Sequence, residues 1–146
     1  MKKSISVIIL ILVFMAGVAW AETKNGKEVE GLSNEAWEWI IKGIRVKDEN
    51  YDEAIKCYKK SIVIDPSSAL PYRFIGVVYQ ENEMLDEAIS AYRKVVMIEP
   101  NDAATHYNLG IIYGKKGMLD EAISAYKKAI IIDIDHTKAR FNLGLS

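Results

Sequence analysis

Residues 84–92 read MLDEAISAY, and the same nine letters return without change at residues 118–126. The offset between the two copies is 34 residues (118 minus 84). Nine consecutive identities at one fixed step are hard to obtain by chance, and a period of this size is typical of chains that stack one supersecondary unit on the next. The sequence therefore predicts a repeat protein.

Single residues elsewhere in the chain keep the same step. They are Gly76, Gly110 and Gly144; Ala54, Ala88 and Ala122; Tyr58, Tyr92 and Tyr126; and Pro66 and Pro100. Within each period, apolar residues recur at spacings of three and four in two separate stretches, which predicts two helices. Polar turns separate these stretches, as at residues 81–83 and 115–117. Each period is thus predicted to be a helical hairpin.

This pattern resembles the tetratricopeptide repeat family in its period, its small residues, its aromatic residues and its closing acid-proline pairs. The resemblance implies an all-α fold, a right-handed superhelix (α-solenoid) of about three and a half helical hairpins. A glycine opposite an alanine is expected to let the two helices of each hairpin approach closely. The first repeat reaches Tyr51 one residue early, counted from Gly43, so we expect a shortened turn there. The implied repeats are 33–68, 69–102 and 103–136, with the first helix of a fourth at 137–146.

The amino terminus has the pattern of an export signal. Two lysines precede an apolar run at residues 5–20, and Ala19-Trp20-Ala21 places small residues at a cleavage site. The run would span about 24 Å as a helix, short of a membrane core of about 30 Å. We therefore expect a cleaved signal peptide at 1–21, with an uncleaved anchor as the alternative, and a flexible spacer at 22–32. The mature chain is expected in the periplasm or secreted, without stable membrane insertion.

Composition argues against several kinds of chemistry. With 19 basic and 20 acidic residues the net charge is −1, so no broad positive field favours nucleic acid. Cys57 is the one cysteine and is expected to be a small buried hydrophobic residue. The two histidines are too few for a metal cluster. Asp-Glu pairs at 52–53, 86–87 and 120–121 begin predicted helices, where acids interact favourably with the positive helix end. We expect no cofactor, no metal and no catalysis.

The resemblance implies a concave face, lined by the first helix of each hairpin, that binds a protein or peptide. Carried over residue by residue, the implied groove positions are Ile44, Arg73, Val77, Gln80, Tyr107, Asn108, Ile111, Lys115, Lys138 and Phe141. Arg73 and Lys138 are expected to orient an acidic group of the ligand; the alternative is that both only solvate the surface. Of Trp37 and Trp39, one is expected in the first seam, while the other caps an edge or meets a ligand.

The sequence therefore predicts a non-catalytic scaffold or adaptor that binds a protein or peptide in the cell envelope. Two alternatives stay open. One is a scaffold that self-associates weakly through an uncapped carboxyl-terminal edge, and the other is an accessory module of an envelope enzyme complex.

Overall fold

A computed structural model describes residues 32–133 of the chain, and these form six α-helices and no β-strand. The helices are α1 (Asn34–Val46), α2 (Tyr51–Ile64), α3 (Leu70–Glu81), α4 (Leu85–Ile98), α5 (Ala103–Lys115) and α6 (Leu119–Ile132). The predicted signal peptide, the partial fourth repeat, Lys138 and Phe141 lie outside the described residues. The predicted spacer does too, except for Leu32, which is buried.

The helices pair as three hairpins, α1 with α2, α3 with α4 and α5 with α6. The chain divides into two compact units, with the boundary between Ser68 and Ala69. The first unit holds the first hairpin. The second unit holds the other two hairpins, which contact each other through α4 and α5. The predicted all-α fold of repeated helical hairpins is confirmed for the described residues.

Helix starts follow the sequence closely. The side chains of Ser33, Asn50 and Asp102 each accept a hydrogen bond from a backbone N–H three residues later, which satisfies an otherwise unpaired donor. Helices α4 and α6 begin without a side-chain cap. As predicted, acidic pairs lie in the first turns of α2, α4 and α6, where negative charge stabilises the helix end.

The seam of each hairpin is built from a glycine and a tyrosine. A Cβ placed on Gly76 would lie 2.7 Å from the Tyr92 ring, and one on Gly110 would lie 2.5 Å from the Tyr126 ring. The nearest neighbour of each glycine is therefore a tyrosine ring, and the predicted contact between glycine and alanine stays a prediction. The glycine leaves bare backbone on which a flat aromatic ring packs, so it makes room for the ring of the second helix.

The turns between paired helices differ from the prediction in one respect. The first turn has four non-helical residues, 47–50, whereas the other two have three each, 82–84 and 116–118. The shortening falls on the helix instead, because α1 ends three residues after Gly43 and α3 ends five residues after Gly76. In the second and third hairpins the turn passes through a positive φ, 56° at Glu83 and 74° at Gly117.

Candidate functional site

The second unit links its two first helices, α3 and α5, through one buried hydroxyl. The Tyr92 hydroxyl of α4 donates to Gln80 Oε1 of α3 at 3.1 Å and accepts a longer contact from Asn108 Nδ2 of α5 at 3.5 Å. Burial, with the nearby Glu81 carboxylate adding to it, raises the pKa of Tyr92 above its ordinary value, so the hydroxyl stays a donor even in mildly alkaline solution. Two predicted groove residues, Gln80 and Asn108, are therefore brought together.

A buried ion pair joins the same two hairpins near the start of α5. The Arg73 guanidinium is 2.6 Å from Glu99 Oε2 and 2.8 Å from Asp102 Oδ2, and Arg73 is only 8% exposed. Asp102 also caps α5 by accepting from the backbone and hydroxyl of Thr105. Arg73 thereby ties α3 to the residues that begin the next hairpin.

This geometry bears on the predicted role of Arg73, which was to orient an acidic group of a ligand. Two carboxylates of its own chain already offset its positive charge, which leaves less charge to attract an acidic ligand. The side chain serves here as a link between hairpins, and the surface beside it gains little positive charge from it.

Exposed ion pairs connect the second and third hairpins near the carboxyl-terminal ends of α3 and α5, away from Arg73. Lys115 of α5 lies 2.8 Å from Glu83 in the turn of the second hairpin, and Lys116 pairs with Asp86 at the start of α4. Both pairs have a largely exposed carboxylate, so each contributes at most about 1 kcal/mol. Lys115, a predicted groove residue, is thus engaged but accessible.

Along α3 and α5, three half-buried apolar side chains lie between the Arg73 ion pair and the Lys115 ion pair. They are Val77 of α3 and Tyr107 and Ile111 of α5, and together they are called the apolar strip. Val77 and Ile111 hold equivalent positions, directly after Gly76 and Gly110. All three pack against the buried core of the second unit, and the Tyr107 ring lies 5.8 Å from the Tyr126 ring. Because the core supports them from below, they can offer apolar surface to a partner without a change in fold.

The first unit carries the remaining described candidates. Ile44 is half-buried and follows Gly43 as Val77 follows Gly76. Trp37 and Trp39 are both half-buried. The Trp39 ring has Lys60 Nζ at 4.0 Å and Lys42 Nζ at 4.9 Å from its centroid, an arrangement of the cation–π type.

Two further observations concern chemistry within the described part of the chain. Cys57 is 1% exposed, as predicted, and burial raises the pKa of its thiol, which keeps it protonated and unreactive at neutral pH. Among residues 32–133 no group of three or more histidine, cysteine or acidic side chains could hold a metal ion. No helix within the same range is long and apolar enough to cross a membrane.

Comparison with protein families gives matches over most of the described residues. A family model described as "Tetratricopeptide repeat" matches residues 103–136, and one described as "TPR repeat" matches residues 44–83 and 84–117. No curated protein sequence matches the chain.

Solved structures share the fold. A crystal structure of MamA is 29% identical with a TM-score of 0.69, and the match covers 77% of this chain and 66% of that one. A second MamA structure is 28% identical with a TM-score of 0.64, covering 71% and 57% respectively. The chain thus spans less than two thirds of either MamA chain. Another structure is the first TPR of Spaghetti (RPAP3), solved bound to HSP90 peptide SRMEEVD. It is 22% identical with a TM-score of 0.70, and the match covers 80% of this chain and 94% of that one. At this identity the match shows the fold alone.

Proposed function

This chain belongs to the tetratricopeptide repeat family, and from that premise we propose that it is a non-catalytic scaffold that binds a protein or peptide. The observation that carries the proposal is the apolar strip, which stays accessible while buried polar links hold α3 and α5 in place. A structure of the same fold, that of Spaghetti (RPAP3), is bound to a peptide, which supports the class of ligand.

The strip favours a ligand anchored by apolar side chains, in an extended or helical segment. Arg73 is held by two carboxylates and Lys115 pairs with Glu83, so the second unit offers little charge for an acidic ligand terminus. Binding should therefore depend only weakly on salt concentration. Ile44 lies in the first unit, while Lys138 and Phe141 lie outside the described residues, so these three stay predictions from the sequence alone.

Conservative changes in the strip test this proposal. A partner is first captured from the native host with the full chain, and its affinity is then measured for Val77→Thr and Ile111→Thr. Each change keeps most of the side-chain shape but places a hydroxyl in an apolar contact, so Kd should rise about tenfold. Ser124→Thr, at an exposed position of α6, is the matched control and should leave Kd unchanged. An unchanged Kd for both strip variants would refute the proposal.

A second candidate function, weak self-association, rests on the outer edge of α6. Leu119 is 66% exposed and Ile123 is 42% exposed, whereas Ile89, the equivalent of Ile123 in α4, is 8% exposed because α5 packs beside α4. This edge is thus unpaired within the described residues. Sedimentation equilibrium should show dimerisation at high concentration that the double change Leu119→Ser and Ile123→Ser weakens. A parent chain that stays monomeric at every concentration rules this candidate out.

The location that we propose is outside the cytoplasm, in the periplasm or the medium, after removal of residues 1–21. The support is the basic start, the apolar run and the Ala-Trp-Ala site in the sequence. Mass spectrometry of the protein from its native host should find a chain that begins at Glu22. Recovery of a chain that keeps Met1 in the membrane fraction would contradict this assignment.

A further inference from the structure

The helices that carry the apolar strip have more acidic than basic side chains. These helices, α3 and α5, are taken with the turns that border them, at residues 69–84 and 99–118. Their basic residues are Arg73, Lys115 and Lys116, and their acidic residues are Glu81, Glu83, Glu99 and Asp102. Lys116 is also offset by Asp86, at the start of α4. The surroundings of the strip are therefore net negative within the second unit.

The ion pairs near the two ends of the strip expose their acids more than their bases. The exposed fractions of cation and carboxylate are 10% and 49% for Arg73 and Glu99, 43% and 67% for Lys115 and Glu83, and 25% and 81% for Lys116 and Asp86. A segment that approaches the strip from solvent thus meets more carboxylate than cation at both ends.

Negative charge also lies close to the centre of the strip. Glu81 follows Val77 by four residues, as Arg73 precedes it by four, so all three share one face of α3. The Arg73 charge is offset by its two carboxylates. Burial is the main cause of the raised pKa of Tyr92, whose hydroxyl links α3 to α5, and among the nearby charges Glu81 has the largest effect. Acids therefore dominate the charge between the two helices.

We infer, on the basis of the proposed function, that the segment bound by the apolar strip carries lysine or arginine beside its apolar anchors, and that acidic segments are selected against. Complementary charges add selectivity more than affinity, and exposed ones contribute little energy, so apolar contacts still supply most of the binding. A basic group about 5–7 Å from the anchor on Val77 would lie near Glu81, one helical turn away. Two residues of an extended segment, or three to four of a helical one, span this distance.

A library of random peptides tests this preference without a known partner. Phage that display short random peptides are selected on the full chain, and the clones are then tested on Ile111→Thr. Clones that lose binding to this variant depend on the apolar strip, and their charges are compared with those of the unselected library. We expect an excess of lysine and arginine over acidic residues, two to four positions from an apolar residue.

The outcomes of this selection separate the two proposals. Strip-dependent clones that are neutral or acidic on average overturn the inference and leave the proposed function standing. A selection that gives no strip-dependent clone overturns the proposed function, and the inference with it.

The acids near the strip are then tested with one synthetic peptide taken from the basic, strip-dependent clones. Its Kd is measured by fluorescence anisotropy for the double change Glu83→Gln and Glu99→Gln, which removes two carboxylates and keeps the side-chain shape. We expect Kd to rise about fivefold. The double change Asp120→Asn and Glu121→Gln, in the first turn of α6, alters the net charge equally and should leave Kd unchanged. An unchanged Kd for the first variant, or equal rises for both, overturns the inference.

A second peptide separates the effect of charge from a change in the structure of the variant. It has glutamine in place of each basic residue, so its Kd should be the same for the parent chain and for the variant that lacks the carboxylates of Glu83 and Glu99. If this variant weakens both peptides equally, the loss is structural and the inference is overturned.

Discussion

At the scale of single residues, the contact between a glycine and a tyrosine ring shapes each hairpin. Gly110→Ala would place a methyl group 2.5 Å from the Tyr126 ring, so we expect a loss of about 2 kcal/mol in the free energy of unfolding. Gly114→Ala in the same helix meets open space and should gain up to about 1 kcal/mol from helix propensity. Urea unfolding followed by circular dichroism measures both, and two changes of the same sign would contradict the packing described.

Because of Tyr92, the free energy of unfolding should depend on pH in the alkaline range. Burial, followed by the Glu81 charge, raises the pKa of Tyr92 above its ordinary value of 10.0, so the folded chain holds this proton more tightly than the unfolded chain. The resulting stability is complete below pH 10 and is lost as the pH rises above it. Tyr92→Phe cannot ionise at this position, so its stability should fall less steeply than that of the parent above pH 10. Parallel slopes in urea titrations across this range would refute the effect.

Some residue-level features could be predicted from the sequence because their causes are local. The buried Cys57 and the acidic first turns of the second helices follow from helical spacing and from the charge at a helix end. The partners of Arg73 could not be predicted in this way, because Glu99 and Asp102 lie 26 and 29 residues further along the chain. The fold of the second hairpin brings Glu99 to Arg73, and the start of the next hairpin adds Asp102.

At the scale of helices, the junction between the second and third hairpins depends on that ion pair. Arg73→Ala would leave Asp102 half-buried without its cation, so we expect a loss of about 2–3 kcal/mol in the free energy of unfolding. Lys115→Ala removes an exposed pair with Glu83 and should cost less than about 0.5 kcal/mol. Urea unfolding of both variants gives the comparison. Equal losses would mean that the buried pair does not hold the junction.

The end of α1 could not be predicted from the 34-residue period. Counting from Gly43 to Tyr51 correctly finds one residue fewer than in the other hairpins, but it cannot say which element loses that residue. In the structure α1 ends early at Val46, and the backbone N–H of Asn50 bonds back to the Val46 carbonyl. The Asn50 side chain then caps α2, which sets where the second helix begins.

At the scale of the whole molecule, the period of 34 residues was sufficient to predict the fold, because each hairpin repeats the same local pattern. The candidate site could be predicted only in part. Val77, Tyr107 and Ile111 lie half-buried at positions that fit a binding surface, since their place relative to the glycines is set by helix geometry. The charge of the site could not be predicted, because it depends on which acids the folded chain brings to Arg73 and Lys115.

We propose that the apolar strip on α3 and α5 is the surface that meets a protein partner. Site-specific photo-crosslinking in the native host tests it most directly, with p-benzoylphenylalanine in place of Tyr107 or Ile111 and, as the control, in place of Ser124 on α6. We expect covalent adducts with another protein from positions 107 and 111 and none from position 124. Adducts from position 124 alone, or none from either strip position, would contradict it.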